Sequence, residues 1–449
     1  MEISKIKEMS LNDWIDLGAF SCTCGKVHTP GSSHVVVESG AIKKLPDLLK
    51  EAGIHKPFLL SGKNTFAAAG EKVCAALEEA GIPYSKFVYD VEHVLPTEQA
   101  VGSAVMHFDY SCDGIVGVGS GVINDIGKLL SRATNRTYLI VATAPSMDGY
   151  ASPSSSMELD GLKVSLDSAF PWGIVGDLDV LCQAPMKMLQ AGVGDMLAKY
   201  VSLCEWQIAK LLLGEFHCPV VAAMVETALQ RVVDASAGLM ARKPEAVKAV
   251  MEGMVIAGLA MKYAEISRPA SGIEHYFSHV WDMRSLAFGT DWDLHGIQVG
   301  VGTLLALKLY DYLRSVTPDK EKALKFVASF SLEDYNRQLT EFIGPGAKAM
   351  IAAEEKAGKY DPKKHAPRLE KIVAHWDEIQ NMIAKLPSYA EVRALMESIG
   401  APVSAEAFGV APEQVRTSCV MTKDIRDKYV ASRLLWDLGL LDEACNILP

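Results

Sequence analysis

The sequence predicts an α/β N-terminal domain with a parallel sheet, followed by an all-helical C-terminal domain. Between residues 34 and 181, strand-like apolar runs alternate with amphipathic helical stretches over short links, which is typical of a parallel α/β sheet. Beyond residue 185 the apolar residues keep a helical period, and no strand-like run interrupts them. We therefore expect one domain over residues 1–185 and a second over residues 186–449.

The N-terminal half predicts strands joined by amphipathic helices, after about 30 polar and irregular residues. Predicted helices such as AIKKLPDLLKEAG end at a glycine, which is a common helix stop. The alternating order of strands and helices favours a Rossmann-like sheet. The strands are predicted at HVVVESG, PFLLSGKNT, SKFVYDVE, GIVGVGSG, TYLIVATAPS and PWGIVGDLDVL, with LKVSLD in a small hairpin before the last of them.

The C-terminal half predicts long apolar helices, followed from Ser331 by a more charged tail that keeps the helical pattern. The apolar character of the long helices suggests a homodimer or a larger homo-oligomer. These helices are predicted at AGVGDMLAKYVSLCEWQIAKLLL, CPVVAAMVETALQRVVDASAGLMA, PEAVKAVMEGMVIAGLAMKYAE and IQVGVGTLLALKLYDYLRSV.

Composition excludes several classes of protein. The 449 residues are 49% hydrophobic and 22% charged, so a large core can form and disorder is not expected. The net charge of −11 argues against a general nucleic-acid binder, which needs a basic face. No apolar run reaches membrane-spanning length and the first residues lack a signal-peptide pattern, so we expect a cytoplasmic protein without membrane contact.

The nine cysteines are scattered, which fits a reducing compartment better than a disulfide framework. Cys22 and Cys24, with His28 four residues further on, have some likeness to a metal knuckle. A second clustered pair at zinc-finger spacing does not follow, so we interpret them as loop or surface cysteines.

A glycine-rich turn, Gly117-Val118-Gly119-Ser120-Gly121, follows a predicted buried strand and opens a helix. Such a turn allows a pyrophosphate to approach the unpaired N–H groups at the start of the helix. Val122 stands where the dinucleotide-binding fingerprint has its third glycine, so an ordinary tight turn is the alternative.

The next predicted strand ends in the segment TAPSMDGYAS, residues 143–152. Ligands bind at this edge of parallel sheets, so the hydroxyls of Thr143, Ser146 and Ser152 could bond a ribose or a nicotinamide amide. Asp148 could accept a hydrogen bond from a substrate hydroxyl. The alternative is ordinary turn chemistry, in which these side chains satisfy local backbone groups.

Three histidines lie close together in the sequence of the second half. His275 and His279 are four residues apart in a predicted helix and would share one face, and His295 opens the next apolar run. Asp195, near the start of a long predicted helix, could join them. Three protein ligands with an open position are typical of a catalytic metal site. The alternatives are packed histidines and an acid that favours the helix dipole.

Four segments occur in one order: GVGSG, TAPSMDGYAS, GVGDMLAKY, and SRPASGIEHYFSH followed by WDLHGIQVG. Together with DIRDKYVASRLLWDLGLL near the end, they resemble the iron-containing alcohol dehydrogenase and dehydroquinate synthase-like superfamily. Within it, they are most similar to the sn-glycerol-1-phosphate dehydrogenases of the AraM-like branch. The resemblance implies a dehydroquinate synthase-like fold and a metal-dependent, NAD(P)H-linked, reversible reduction of dihydroxyacetone phosphate to sn-glycerol 1-phosphate.

The resemblance also implies a role for each matching residue, with nucleotide binding in the first domain and metal and substrate binding in the second. The cofactor, NAD(H) or NADP(H), would be bound by Gly117, Val118, Gly119, Ser120, Gly121, Thr143, Ala144, Pro145, Ser146 and Ser152. One divalent metal, zinc, nickel or iron, would be held by Asp195, His275 and His295. The catalytic and substrate-binding residues would be Asp148, Asp195 and His279.

Some choices stay open at this point. The turn after the second strand, residues 60–65, lacks the acid that holds the adenine ribose in many relatives and carries Lys63, so we expect NADPH to be usable. Arg268 or Lys163 could bind the substrate phosphate. The alternative functions are dehydrogenation of another small polyol such as glycerol, a dehydroquinate-synthase-like lyase reaction, and a non-catalytic metal- or nucleotide-binding regulator.

Overall fold

The structure is a computed structural model that describes residues 3–448. The outermost residues of the two predicted domains, 1–2 and 449, lie outside the described part. The chain divides into two compact units, Met1–Met196 with Cys218–Pro269, and Leu197–His217 with Ala270–Pro449. The boundary that we predicted at residue 185 was placed where strands give way to helices. This boundary stays a prediction.

The first unit contains the predicted parallel sheet. The strands are β1 (Phe20–Ser21), β2 (Val27–His28), β3 (His34–Glu38), β4 (Pro57–Gly62), β5 (Ser85–Tyr89), β6 (Gly114–Gly119), β7 (Thr137–Ala142), β8 (Ser154–Leu159), β9 (Leu162–Asp167) and β10 (Gly173–Asp177). The main sheet has the order β3-β10-β7-β6-β4-β5, and each neighbouring pair is parallel. Two antiparallel hairpins, β1–β2 and β8–β9, lie outside this sheet.

Helices connect these strands and make up the rest of the chain. The earlier ones along the chain are α1 (Ile3–Ile6), α2 (Leu11–Asp16), α3 (Leu45–Glu51), α4 (Lys63–Thr65), α5 (Glu71–Glu79), α6 (Glu98–Met106), α7 (Gly121–Thr134), α8 (Leu178–Leu181), α9 (Met186–Leu213), α10 (Pro219–Ala235) and α11 (Pro244–Ala264). The later ones are α12 (Ile273–Phe288), α13 (His295–Arg314), α14 (Lys320–Ser329), α15 (Leu332–Ile343), α16 (Ala347–Ala357), α17 (Pro362–Ala374), α18 (Trp376–Ile383), α19 (Tyr389–Ser398), α20 (Pro412–Thr422), α21 (Ala431–Asp437) and α22 (Leu441–Cys445).

The central strands of the sheet are apolar without alternation because both of their faces are covered. Every residue of β4, β6 and β10 is buried. Helices α3 and α5 cover one face, where Leu49 and Leu77 belong to the same apolar cluster as Val118 and Val141. A parallel sheet whose crossover helices lie on its faces is buried in this way, so continuous apolar runs are the expected sequence pattern.

Residues 3–30 are more ordered than the sequence suggested. Ser10 and Asp13 form a capping box at the start of α2, because each side chain bonds the other's backbone N–H. Trp14 of the same helix is buried, with 2% of its surface exposed. The prediction of an irregular segment was therefore wrong, because a six-residue helix and a hairpin of two-residue strands give little periodic signal.

The second half is helical, as predicted, and residues 178–448 contain no strand. Helix α9 begins at Met186, earlier than the sequence indicated, so Asp195 is its tenth residue rather than part of its first turns. Cys419 of α20 and Cys445 of α22 form a disulfide, a pairing that the sequence did not predict. The other cysteines of the described part are free thiols.

Candidate functional site

The glycine-rich turn joins β6 to α7 at the carboxyl edge of the sheet. Gly119 lies opposite Ala142 in the parallel register, and the N–H of Thr143 donates to the carbonyl of Gly119 at 3.0 Å. The turn and the segment after β7 are therefore neighbours, as ligand binding at this edge requires.

Packing inside the protein accounts for two of these glycines. A Cβ at Gly117 would lie 2.4 Å from Oη of Tyr138, and one at Gly119 would lie 2.5 Å from Cβ of Ile123. The feature that points to a ligand is the start of α7, where Ser120 makes no side-chain cap. Because the first N–H groups of a helix have no acceptor within the helix, an anion such as a pyrophosphate could accept from those of this 14-residue helix.

The segment after β7 is held in place by two side chains of α7 that the sequence reasoning missed. Nζ of Lys128 donates to the carbonyl oxygens of Ser154 at 2.6 Å and Gly149 at 3.2 Å. Nδ2 of Asn124 donates to the same Gly149 oxygen at 3.2 Å. Both side chains belong to residues that are 0% exposed, so the loop is fixed from inside the fold. Asn124 and Lys128 are four apart on a predicted helix, which is the signal that could have found them.

The buried Lys128 ammonium has a carboxylate partner, Asp125, whose Oδ1 lies 3.0 Å away. Burial raises the pKa of the Asp125 carboxyl, and the lysine opposes that effect. Lys128 also donates to the hydroxyl of Ser152 at 3.2 Å, and that hydroxyl lies 2.9 Å from the Ser154 carbonyl. Ser152 is thus engaged within its own loop, and its contact with a cofactor stays a prediction.

The other predicted residues of this segment, Thr143, Ala144, Pro145 and Ser146, are buried beside the end of β7. Their order along the chain puts them next to the glycine-rich turn, through the bond between Thr143 and Gly119. The structure therefore brings the two predicted cofactor-binding segments together in one unit.

Asp195 lies on the third turn of α9 and is completely buried. The backbone N–H of Asp148 donates to its Oδ2 at 3.0 Å. An acid this far from the helix start gains little from the dipole, so the structural alternative considered for Asp195 does not apply. A buried carboxylate needs charged or hydrogen-bonding partners, and a metal ion would be one.

His275 is the third residue of α12, and His295 is the first residue of α13. Their ring centroids are 5.2 Å apart. Asp195 belongs to the first unit and the two histidines to the second, so the part of Asp195 as a third metal ligand stays a prediction. Within the second unit, two of the residues that resemblance assigned to a metal, His275 and His295, have neighbouring rings.

Neighbouring side chains orient the two histidines. Nδ1 of His275 is 2.9 Å from Oε1 of Glu274, which also accepts the N–H of Gly272. Nδ1 of His295 is 3.3 Å from Oγ of Ser278. Partners of this kind on the second ring nitrogen are usual for metal-binding histidines. Glu274 and Ser278 are further residues that the sequence reasoning missed, although both lie beside the histidines on α12.

His279 is predicted to contact the substrate rather than the metal. It is half-buried on α12, one turn after His275, and its ring centroid is 6.4 Å from that of His295. The two basic residues suggested for a substrate phosphate differ in burial, since Arg268 is 1% exposed and Lys163 is half-buried on β9.

The chain is similar to known dehydrogenases in sequence. The family described as iron-containing alcohol dehydrogenase matches residues 36–185. Relatives named glycerol-1-phosphate dehydrogenase (NAD(P)+) include that of Bacillus licheniformis, 28% identical over 95% of this chain and 94% of the relative. Those of Methanothrix thermoacetophila and Hyperthermus butylicus are 31% and 32% identical, each over 62% of this chain and over 76% and 77% of the relative.

Solved structures share the fold. Glycerol dehydrogenase from Schizosaccharomyces pombe superposes with a TM-score of 0.60 at 16% identity, over 93% of this chain and 90% of that chain. Maleylacetate reductase from Rhizobium sp. strain MTP-10005 gives 0.58 at 14% identity, over 93% and 97%. Within residues 3–448, no helix combines the length and the apolar character needed to cross a membrane.

Proposed function

The chain belongs to the glycerol-1-phosphate dehydrogenase family, and on this premise we propose how its residues carry out the reaction. It is an NAD(P)-dependent oxidoreductase that interconverts dihydroxyacetone phosphate and sn-glycerol 1-phosphate. We propose that a divalent metal held by Asp195, His275 and His295 takes part. The observation that carries this proposal is the pair of imidazoles in the second unit, since the ring centroids of His275 and His295 are 5.2 Å apart.

The chemistry of the donor set fits such an ion. One carboxylate and two imidazoles suit zinc, nickel or ferrous iron, and three protein ligands leave a position for substrate. Because Nδ1 of each histidine has a hydrogen-bonding neighbour, Nε2 is the nitrogen that we assign to the metal. Lewis acidity from the bound ion would stabilise the negative charge that develops on the substrate oxygen.

The reaction balances as dihydroxyacetone phosphate, NAD(P)H and one proton giving sn-glycerol 1-phosphate and NAD(P)+. The cofactor supplies the hydride, which goes to the carbonyl carbon. We assign its pyrophosphate to the N–H groups at the start of α7, and its nicotinamide ribose to the segment that begins at Thr143. Lys128 and Asn124 keep that segment rigid through their bonds to Gly149.

The residues proposed to touch the substrate are Asp148, Asp195 and His279. The N–H of Asp148 bonds Asp195, so its side chain is the part assigned to a substrate hydroxyl. His279 lies one turn beyond His275 and is half-buried, which suits a side chain that exchanges a proton with the substrate oxygen. Arg268 or Lys163 stays the proposed phosphate-binding residue.

The choice of cofactor, the assembly of the chain and its location are proposals too. We propose that both NADH and NADPH serve, because Lys63 directly follows β4 and the residues around it include no acid to repel a 2′-phosphate. We also propose a homodimer or larger assembly in the cytoplasm. Light scattering on the purified chain measures the assembly, and a monomer would contradict it.

Oxidation of NADH or NADPH, followed with phosphorylated and unphosphorylated dihydroxyacetone, tests the function. We expect turnover with the phosphorylated ketone and little with the other. Preference for the unphosphorylated ketone would indicate a glycerol-type dehydrogenase. No net oxidation with either ketone would contradict the proposal and favour a lyase.

A further inference from the structure

We propose that Cys22, Cys24, His28 and Cys218 form a second metal site, a closed structural zinc site in the first unit. Each of the four residues offers a ligand atom, and these atoms all lie within 4.8 Å of one another. Cys218 is the residue that sequence spacing could not supply, because it lies 190 residues beyond His28. This site is independent of Asp195, His275 and His295.

The distances within this Cys3His group match those around a tetrahedral zinc ion. With Zn–S bonds of about 2.3 Å and Zn–N bonds of about 2.0 Å, tetrahedral geometry puts two sulfurs about 3.8 Å apart, and a sulfur and a nitrogen about 3.5 Å apart. Sγ of Cys22 and Sγ of Cys218 are 3.6 Å apart. Nε2 of His28 is 3.3 Å from Sγ of Cys24 and 3.4 Å from Sγ of Cys218.

The local backbone brings these ligands together. Cys22 and Cys24 lie in the turn between β1 and β2, which the N–H of Cys22 closes by bonding the carbonyl of Lys26 at 2.9 Å. Gly25 in this turn has a φ of 88°, which a residue with a side chain rarely adopts. Cys218 is the N-cap of α10, so its side chain lies at the start of that helix.

His28 is oriented as zinc-binding histidines usually are. Its Nδ1 lies 2.6 Å from the carbonyl oxygen of Tyr263, which accepts the ring N–H and turns Nε2 towards the sulfurs. The ring also packs edge-on against Tyr263 and lies 5.2 Å from the ring of Phe20, centroid to centroid. His28 and Cys218 are buried, whereas Cys22 and Cys24 are half-buried and leave a path for an ion.

The donor set decides the class of ion and its role. Three thiolates and one imidazole select a soft or borderline ion such as zinc, and four protein ligands close the coordination sphere. Such a site has no position for a substrate, so it contributes to folding rather than to catalysis. It would tie the hairpin β1–β2 to α10, and zinc binding would release the thiol protons to solvent.

The competing state of the same sulfurs is a disulfide between Cys22 and Cys218. A disulfide needs the sulfurs at about 2.05 Å, much closer than the 3.6 Å observed. It would also leave Cys24 and His28 without the metal ion that all four side chains are placed to share. The two states differ in metal content and in thiol count, so one experiment separates them.

Elemental analysis of the full-length chain gives the first test, in a His275→Ala background that removes the other proposed metal. We expect one equivalent of zinc to remain. Cys24→Ser added to this background should remove it, whereas Cys182→Ser, at a half-buried free cysteine outside the group, should keep it. A His275→Ala chain that binds no zinc would overturn the proposal.

Alkylation of the native wild-type chain gives a second test that needs no variant. With zinc bound, Cys22 and Cys24 should resist iodoacetamide until a strong chelator is added, and peptide mass spectrometry then identifies both. Rapid alkylation of both before chelation would overturn the proposal. So would a Cys22–Cys218 disulfide found in peptides from unreduced protein.

Discussion

The backbone N–H of Asp148 donates a hydrogen bond to Oδ2 of Asp195 at 3.0 Å. The loop after β7 thereby positions a carboxylate on α9 that is proposed to bind the metal. Because the donor is the backbone, a change in the side chain of Asp148 leaves this bond in place. The roles of the two aspartates can therefore be separated by substitution.

Asp148→Asn should keep the metal and lose turnover. Its backbone N–H still supports Asp195, but the side chain can no longer act as a base or accept as a charged group. Asp195→Asn should lose metal affinity, because an amide is a weak ligand. Metal content and NADPH oxidation measured on both variants test this, and equal metal loss in both would contradict it.

Glu274→Gln should weaken metal binding by about 10- to 100-fold, since it alters the partner of His275 Nδ1. Competition with a chromogenic chelator measures the affinity. His279→Ala is the matched control on the same helix, and it should keep the metal while turnover falls. If His279→Ala lost the metal and Glu274→Gln kept it, the assignment of Glu274 as the residue that supports metal binding would be wrong.

Lys128→Met should destabilise the chain by about 3–5 kcal/mol, because it leaves the Asp125 carboxylate without its buried partner. Asp125→Asn added to it should recover part of the loss. Urea unfolding of both variants measures the difference. If Lys128→Met alone were as stable as wild type, Lys128 would not hold the loop.

The sheet could be predicted because its strands are continuous apolar runs between turns, as in GIVGVGSG. The start of α9 could not be placed, because the buried residues before Asp195 lack a helix-start signal. The small N-terminal elements were missed for a related reason: a capping box at Ser10 and Asp13 is local, and no long periodic pattern accompanies it.

The site was predictable only in part. His275 and His295 were found because they stand in segments similar to a known family, whereas helix spacing alone would have paired His275 with His279. Residues that act through another side chain, such as Glu274, carry no motif of their own. Cys218 joins Cys22 only through tertiary structure, so the metal-knuckle interpretation was set aside for want of a partner.

A buried carboxyl group should make the unfolding free energy depend on pH. Burial, with the nearby Asp424 carboxylate, raises the pKa of Glu354 to about 7, although Nζ of Lys359 is 2.6 Å away. The folded chain then holds this proton more tightly than the unfolded chain, whose glutamate titrates near 4.5. The stabilisation of the folded chain by this proton is fully present below pH 4.5. It is lost as pH rises through 7, and the unfolding free energy falls by at most about 1.4 kcal/mol per pH unit.

Glu354→Gln should remove the part of the slope of unfolding free energy against pH that Glu354 causes, because glutamine does not titrate. Urea unfolding between pH 5 and pH 8 measures the slope in wild type and variant. Glu355→Gln, at the exposed neighbouring position, is the control and should keep it. Identical slopes in wild type and Glu354→Gln would show that Glu354 titrates normally.

Lys63→Ala should raise KM for NADPH more than KM for NADH, because only the former cofactor carries a 2′-phosphate for the ammonium to attract. A reduction of several-fold in the NADPH to NADH ratio of kcat/KM is expected. Steady-state kinetics with both cofactors measures it. Undetectable turnover with NADPH in wild type would contradict this interpretation of the turn.

The most direct test of the central claim is a chelator titration in which metal content and NADPH oxidation with dihydroxyacetone phosphate are measured on the same samples. We predict that turnover falls in step with the metal lost from Asp195, His275 and His295, and returns when zinc, nickel or ferrous iron is restored. Full turnover by a chain from which all metal has been removed would contradict the account.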